Sequence, residues 1–478
     1  MMKSIVEEKL VSFKTLEQKV FRYVCELAQE ITRIMLENYD TELAEGRDKS
    51  QYRDKGKRTT TIKTVYGEVA YARRVYQTKL EDGGKAFVYL LDEAMQMDKI
   101  GLISTNLAEK IAMTVTESPY RVTADIISET CGQSISHGGT WNLIQRLGER
   151  INEEEDYAVK QMEAGQAVGK AEIPVLFEEM DGVWLAMQDK AHKKMKKQEM
   201  KVFTMYEGWD AQSRESRLVN KAMLAGMEKS SEFHRKREAL IEKKYNADEI
   251  RQRVLNGDGG SWIKEPYDSE VIFQLDRFHI YQEIKRKLKE KEAQKEVTEL
   301  FEAGKMEEML EYIRIYADSV DSNDRTDKRS SNAKKLYEYL SNNKEGLLPY
   351  QERGIKIPEA KPGIVYKNMG VQENQNCTTI TLRMKHRRMR WSENGANNMA
   401  KALYRKENRE LADTIERYTD GLVFTMQMQE IVQTLSAAKA PKKDGKGNIY
   451  VDVITHHMPL LDAMRTASRK AFTSAFCS

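Results

Sequence analysis

The chain of 478 residues has no run approaching the roughly 18 consecutive apolar residues that a membrane-spanning helix needs. No membrane association is expected. Its four cysteines, Cys25, Cys131, Cys377 and Cys477, are scattered and form no Cys-x-x-Cys pair. That spacing excludes a zinc ribbon and argues against a disulfide framework. The opening stretch MMKSIVEEKLVSF carries two glutamates and no long apolar segment, so it does not read as a signal peptide. The sequon at Asn376 therefore carries no expectation of glycosylation, and a reducing cytoplasm fits. Charge of one sign is also lacking. The 78 basic and 75 acidic residues leave a net charge of +3, so nucleic-acid binding cannot be argued from overall charge.

Local charge says more. His192–Lys201 (HKKMKKQEMK) and Arg383–Arg390 (RMKHRRMR) are concentrated basic runs, each either a solvated face or a patch for anionic polymer. The 40% apolar content is enough to fill real cores, and the length allows two to four domains.

Along the chain the texture changes several times. Phe13, Val20, Leu27 and Ile34 recur every seven residues, flanked by Val24 and Ile31, and predict one long helix whose stripe needs a partner. Arg58–Gln77 reads as a β-hairpin turning at Tyr66–Glu68. From about Ser104 to Glu155 the pattern is helical and includes a helix, a Gly-containing turn and a second helix capped near Ser136. That arrangement is compatible with a helix-turn-helix. Strand texture begins at Ile173–Gln188 and continues through Lys201–Trp209 and Ser216–Gly226. A helix follows with Ser230 as its cap, then two short apolar strands, Gln252–Asp258 and Val271–Asp276. Three early strands, a helix, then alternating strand and helix is the order of a ribonuclease-H-like α/β layer. Tyr281 to about Asn343 is charged and helical and reads as an insertion.

Three acidic residues stand at the ends of these segments. Asp181 closes Val175–Asp181 (VLFEEMD), Asp258 sits between glycines in Asn256–Trp262 (NGDGGSW), and Glu373 precedes a stretch open to helix or strand. Glycine takes φ > 0 freely and aspartate caps turns, so Asp258 has a simple turn reading. The alternative is chemistry, because α/β folds place it beyond the carboxyl ends of their strands. Two or three carboxylates suffice for Mg2+, a hard ion that keeps several waters. A metal pair would activate one oxygen and stabilise another in phosphoryl transfer. Glu393 is a competing third acid.

The segments EEMDGVW, NGDGGSWIK, LDRFHIYQEI, GVQEN and RMKHRRMRWSENGANNMAKAL occur in that order, after TVYGEVAYARRVYQ, FVYLLDEAMQ and ISHGGTWNLIQRLGE. This ordered set, spanning roughly Arg58 to Leu403, resembles transposases of the ISLre-two family of bacterial insertion sequences. That family is similar to the Mutator-like group of DDE transposases. The resemblance implies an α/β fold with a ribonuclease-H-like catalytic core, an all-helical insertion and a mainly helical N-terminal region. It maps the catalytic and metal-binding acids to Asp181, Asp258 and Glu373. Asp276 and His279 take a supporting position after the next strand. The implied cofactor is Mg2+, two ions, with Mn2+ able to substitute.

On this resemblance, residues 1–165 form an N-terminal helical region with a β-hairpin, serving DNA binding or dimerisation. Residues 166–284 are the first part of the core, 285–362 the helical insertion, 363–420 the second part of the core with the third acid, and 421–478 a C-terminal tail. The implied partners are DNA, as transposon ends and target, and further copies of the chain, in a bacterial cytoplasm at the nucleoid. Cleavage at the element's ends would free a 3′ hydroxyl that then attacks target DNA. Arg383, Lys385, Arg387, Arg388 and Arg390 would contact backbone phosphate, which positions DNA without reading its sequence. Trp262 and Trp391 are open to base stacking or to core packing, the commoner use. The rival readings are an inactive DNA-binding protein of the same fold and a nuclease or resolvase that cuts without joining. One local feature departs from the family: Glu373 is followed by Asn374–Leu382 (NQNCTTITL), rich in β-branched residues that favour strands. Helical spacing would still place Glu373, Cys377, Ile380 and Met384 on one face.

Overall fold

The computed structural model describes residues 12–80, 83–95, 102–188, 197–264, 270–321 and 327–419, with short segments at 442–443 and 449–450. It is a mixed α/β protein of two compact units, residues 1–147 with 410–478 and residues 148–409. Among the described residues no helix is long and apolar enough to cross a membrane.

The first unit opens with the helix Phe13–Gly46, started by Ser12, whose Oγ accepts the Thr15 amide. Leu36 on this helix packs with Ile62, Val69, Tyr71 and Leu91 against a three-stranded antiparallel sheet. The strands are β1 (Arg53–Thr64), β2 (Gly67–Lys79) and β3 (Lys85–Val88). β1 and β2 form a tight hairpin in which Thr64 pairs with Gly67, and Gly67 takes φ +129°, a conformation a side chain resists. The hairpin is longer than the periodicity suggested because threonines and basic residues at Arg53–Thr61 continue the ladder. The heptad stripe of the long helix is only half used: Phe13, Val20 and Val24 remain exposed. Helices Thr105–Glu117 and Tyr120–Thr130 follow. Helix His137–Glu163 begins after Ser136, whose Oγ accepts the Gly139 amide. The unit boundary at 147/148 falls within this helix rather than at the expected 165. The chain also returns to the first unit at Glu410, so helix Leu411–Thr419, expected in the core, packs on Thr105–Glu117 instead.

The second unit is built on a five-stranded sheet of order β7-β5-β4-β8-β9. These are β4 (Val175–Ala186), β5 (Lys197–Tyr206), β7 (Ala222–Gly226), β8 (Gln252–Gly257) and β9 (Ile272–Leu275), with β6 (Trp209–Asp210) paired outside this sheet to β10 (Ile364–Val365). β4, β5 and β7 are antiparallel neighbours, whereas β4, β8 and β9 run parallel. Near-continuous burial along β4 and β7 suits a sheet covered on both faces. Helix Ser230–Lys244, preceded by Lys229 as its cap rather than by Ser230, connects β7 to β8.

After helix Arg277–Lys287 come helices Lys291–Glu302, Met306–Ser319 and Arg329–Asn342. Val297, Phe301, Met309, Leu310, Ile313, Leu336 and Leu340 recur at three- and four-residue spacing. They close a separate apolar core that also takes in Leu275, Ile280 and Ile284. No strand occurs among the described residues from Lys291 to Asn342.

Candidate active site

Parallel register brings the acidic residues together. Met180 pairs with Gly257 across β4 and β8, and Gly257 pairs with Leu275 across β8 and β9. The residues that follow each are Asp181, Asp258 and Asp276, side by side on three adjacent strands. β4 continues beyond Asp181, whereas β8 and β9 stop, so their aspartates lie at carboxyl ends, where α/β sheets gather ligands.

Each aspartate is held differently. Asp181, 8% exposed, accepts the Gly182 amide at 2.7 Å on Oδ1 and the Asn376 Nδ2 at 2.7 Å on Oδ2. Asp258 Oδ1 accepts the Gly260 amide at 2.8 Å, while its backbone carbonyl accepts the Tyr339 hydroxyl at 3.0 Å from the helical insertion. The turn reading and the site reading of Asp258 are thus compatible. Gly259 takes φ +82°, and a Cβ there would lie 2.7 Å from Asn343 Oδ1, so glycine brings the loop against the insertion. Asp276 is buried and caps helix Arg277–Lys287 by accepting the Phe278 amide at 2.7 Å. That cap orients the helix carrying His279, whose Nε2 lies 3.6 Å from Asp181 Oδ1.

Electrostatics tie the group together. Burial raises the Asp258 carboxyl above the usual aspartate range, and Asp181 and Asp276 add repulsion. Burial likewise raises Glu373, followed by repulsion from Asp181. Burial works to lower His279, but the ion-pair contact with Asp181, with help from Asp276 and Asp258, raises it to about 9. His279 therefore stands as a cation among the acids.

Of the two candidates for the third acid, Glu373 has its carboxyl raised by burial and by Asp181. Glu393 instead starts helix Glu393–Glu407 and accepts Gln198 Nε2 at 3.2 Å. The β-branched stretch after Glu373 does not form a strand. Helix Gln372–Gln375 passes into a π-helix at Asn376–Thr381 and then Leu382–Met384. The wider π turn shifts the buried side to Gln375, Asn376, Thr379 and Ile380. Glu373 and Cys377 are consequently exposed while Ile380 and Met384 are buried, so these four do not share a face.

The basic run divides. Arg383 is buried at 5% exposure, its guanidinium 5.5 Å from the centre of the Trp391 ring and its Nη1 3.4 Å from Met389 Sδ. This corrects its expected place on a phosphate-contacting face: the helix turns its side chain inward. Lys385, Arg388 and Arg390 are exposed, and the Arg387 side chain lies outside what is described. Both tryptophans are packed. Trp391 donates to the Met384 carbonyl at 2.8 Å, and the Trp262 ring lies against Phe233 and His234.

Four site residues had weak or no sequence signal. Glu199 has its carboxyl raised by burial, with Asp258 and Asp181 adding repulsion, and lies against Gly182, where any Cβ would meet Glu199 Oε1 at 1.9 Å. Gly182 was the available clue. Asn376 depends on the π turn and Tyr339 on the insertion, both invisible to periodicity. Glu179 reads in the sequence as one of three acids in the same strand, beside Glu178 and Asp181.

The donors at the centre are carboxylate oxygens without thiolate, the chemistry a hard divalent ion takes. Among the described residues, no three His, Cys, Asp or Glu side chains stand close enough to form a metal-holding group.

The chain belongs to the uncharacterised protein family UPF0236, whose model matches residues 6–416. No curated protein matches it.

Proposed function

We propose that the chain is a DNA transposase of an insertion sequence, of the ISLre-two type, with a ribonuclease-H-like core. The observation that carries this reading is the parallel register that sets Asp181 beside Asp258, with Glu373 electrostatically linked to Asp181. The sheet order supports it: three antiparallel strands, then two parallel to the first, interrupted by helices before the Glu373 segment. Asp181, Asp258 and Glu373 would hold Mg2+, or Mn2+ in its place, as a pair that activates the attacking oxygen and stabilises the leaving one. His279 offsets acidic charge at Asp181, and Asp276 orients it. Lys385, Arg388 and Arg390 supply exposed cations for DNA phosphate. The exposed Phe13, Val20 and Val24 on the first helix supply an apolar seam for a second copy.

The test is strand transfer. Duplex DNA carrying the genomic sequence that flanks the gene is incubated with the protein, Mg2+ and a target plasmid. Joined products are expected. Cutting without joining would indicate a nuclease or resolvase, and DNA binding without cutting an inactive relative. Light scattering should give at least a dimer.

A further inference from the structure

We propose that Glu179 is a positioning residue that ties the Glu373-bearing helix to the strand carrying Asp181. The inference rests on the acidic-centre reading above.

Glu179 lies two residues before Asp181 on β4 and is fully buried at 0% exposure. A lone carboxylate so placed is costly unless donors surround it. Its Oε1 accepts the Tyr206 hydroxyl at 2.6 Å and the amides of Gly370 and Val371 at 3.1 and 3.2 Å. Its Oε2 accepts the Gln372 amide at 3.1 Å and Asn256 Nδ2 at 3.0 Å. Three consecutive backbone N–H groups thus converge on one carboxylate. Gly370 takes φ +123°, the kind of left-handed turn that lets successive amides form a concave anion nest. The next residue after the nest is Glu373.

The same carboxylate reaches the other side of the site. Asn256 Nδ2, while donating to Glu179, also donates to Asp276 Oδ2 at 2.7 Å, and Asp276 caps the helix of His279. Glu179 is therefore the common anchor of the two segments that bring Glu373 and His279 toward Asp181. It touches no reacting group; its effect is on where those groups sit.

Two variants test this. Glu179→Gln puts an NH2 group where one oxygen accepted amides. Gly370→Ala perturbs the nest from outside, since nothing lies within 4 Å of a Cβ there and only the backbone conformation is strained. Hydrogen exchange of residues 370–384 is expected to quicken about tenfold or more in both variants, with β5 and β7 unchanged, as local opening does. In plasmid cleavage, the Mg2+ concentration for half-maximal rate should rise about tenfold while DNA affinity stays near wild type. Unchanged exchange at residues 370–384 in Gly370→Ala would overturn the proposal, as would loss of stability without a changed Mg2+ requirement. If the wild-type protein shows no Mg2+-dependent cleavage, the transposase reading fails, and the exchange measurement still decides whether Glu179 holds this segment.

Discussion

On the proposed reading Asp258 and Glu373 carry the chemistry, and single substitutions would separate chemistry from binding. Asp258→Asn keeps the size and the Gly260 contact but removes the charge. Cleavage should fall by about a thousandfold or more, as loss of a metal-holding carboxylate does, while DNA stays bound. Glu373→Gln should match it and Glu393→Gln should not. Equal losses at 373 and 393 would reopen the choice of third acid. His234 makes a different prediction. It is 7% exposed, its Nδ1 accepts Arg237 Nη1 at 2.9 Å and its Nε2–H donates to the Trp262 carbonyl. Those partners require the neutral ring. Burial, then Arg237, lower it from 6.5 to about 4. The unfolded chain then takes up a proton below pH 6.5 that the folded one refuses. The His234 contribution to stability should be flat above that pH and fall between 6.5 and 4, by up to about 3 kcal/mol, while raised His279 contributes in the opposite direction, its stabilisation being lost as pH rises from 6.5 through about 9. Urea titrations across this range, compared with His234→Gln, isolate the effect; identical slopes would mean His234 titrates normally in the fold.

At the scale of elements, the π-helix and the insertion decide what the site can reach. The π turn rotates Arg383 inward and leaves Arg388 and Arg390 outside, so only the latter two are free to meet DNA on the proposed reading. Replacing Arg388 and Arg390 with alanine should leave Tm unchanged and flatten the salt dependence of DNA binding by up to about two units of slope. Arg383→Ala should instead lower Tm through lost packing on Trp391, with the salt slope intact. A reversed pattern would place the DNA path elsewhere. The insertion reaches the site through Tyr339, and Lys264 Nζ adds a 3.0 Å bond to Asn343 Oδ1 beside it. Tyr339→Phe removes one hydrogen bond worth about 1 kcal/mol, so cleavage should slow about three- to tenfold with DNA affinity unchanged. An unaffected rate would make the insertion a passive attachment.

Across the second unit, a buried ionic cluster joins distant parts of the chain. Lys401, fully buried, lies 2.9 Å from Glu155 and 2.5 Å from Glu228, and Lys236 lies 3.0 and 3.1 Å from the same two. Tyr404 donates to Glu155 as well. The burial of Glu228 works to raise its carboxyl, but Lys401 and Lys236 draw it down to about 2. Lys401→Met leaves two buried glutamates facing one lysine and should destabilise by about 3–5 kcal/mol, read by urea unfolding. Lys401→Met with Glu228→Gln should recover part of that loss, because charge balance returns.

What the sequence determined is what short range can specify. The heptad stripe predicts the first helix, a turn at Tyr66–Glu68 the hairpin (which the structure closes one residue earlier, at Val65–Tyr66), and apolar runs ending in aspartate the strands of the sheet, because periodicity and turn chemistry are local. Asp181, Asp258 and Glu373 stood out as acids at segment ends. Tertiary structure decided the rest. Parallel register, not spacing, put Asp181, Asp258 and Asp276 in one row. The π turn, which no 3.6-residue pattern anticipates, exposed Glu373 and placed Asn376 on Asp181. Arg383, expected from the resemblance to contact DNA, is a buried packing residue. Glu179 reads in the sequence as one more acid in a strand; only the convergence of amides from a loop some 190 residues away makes it an anchor. The unit boundary inside helix His137–Glu163 has the same cause: helical pattern continues across it, and only packing tells which end belongs to which core.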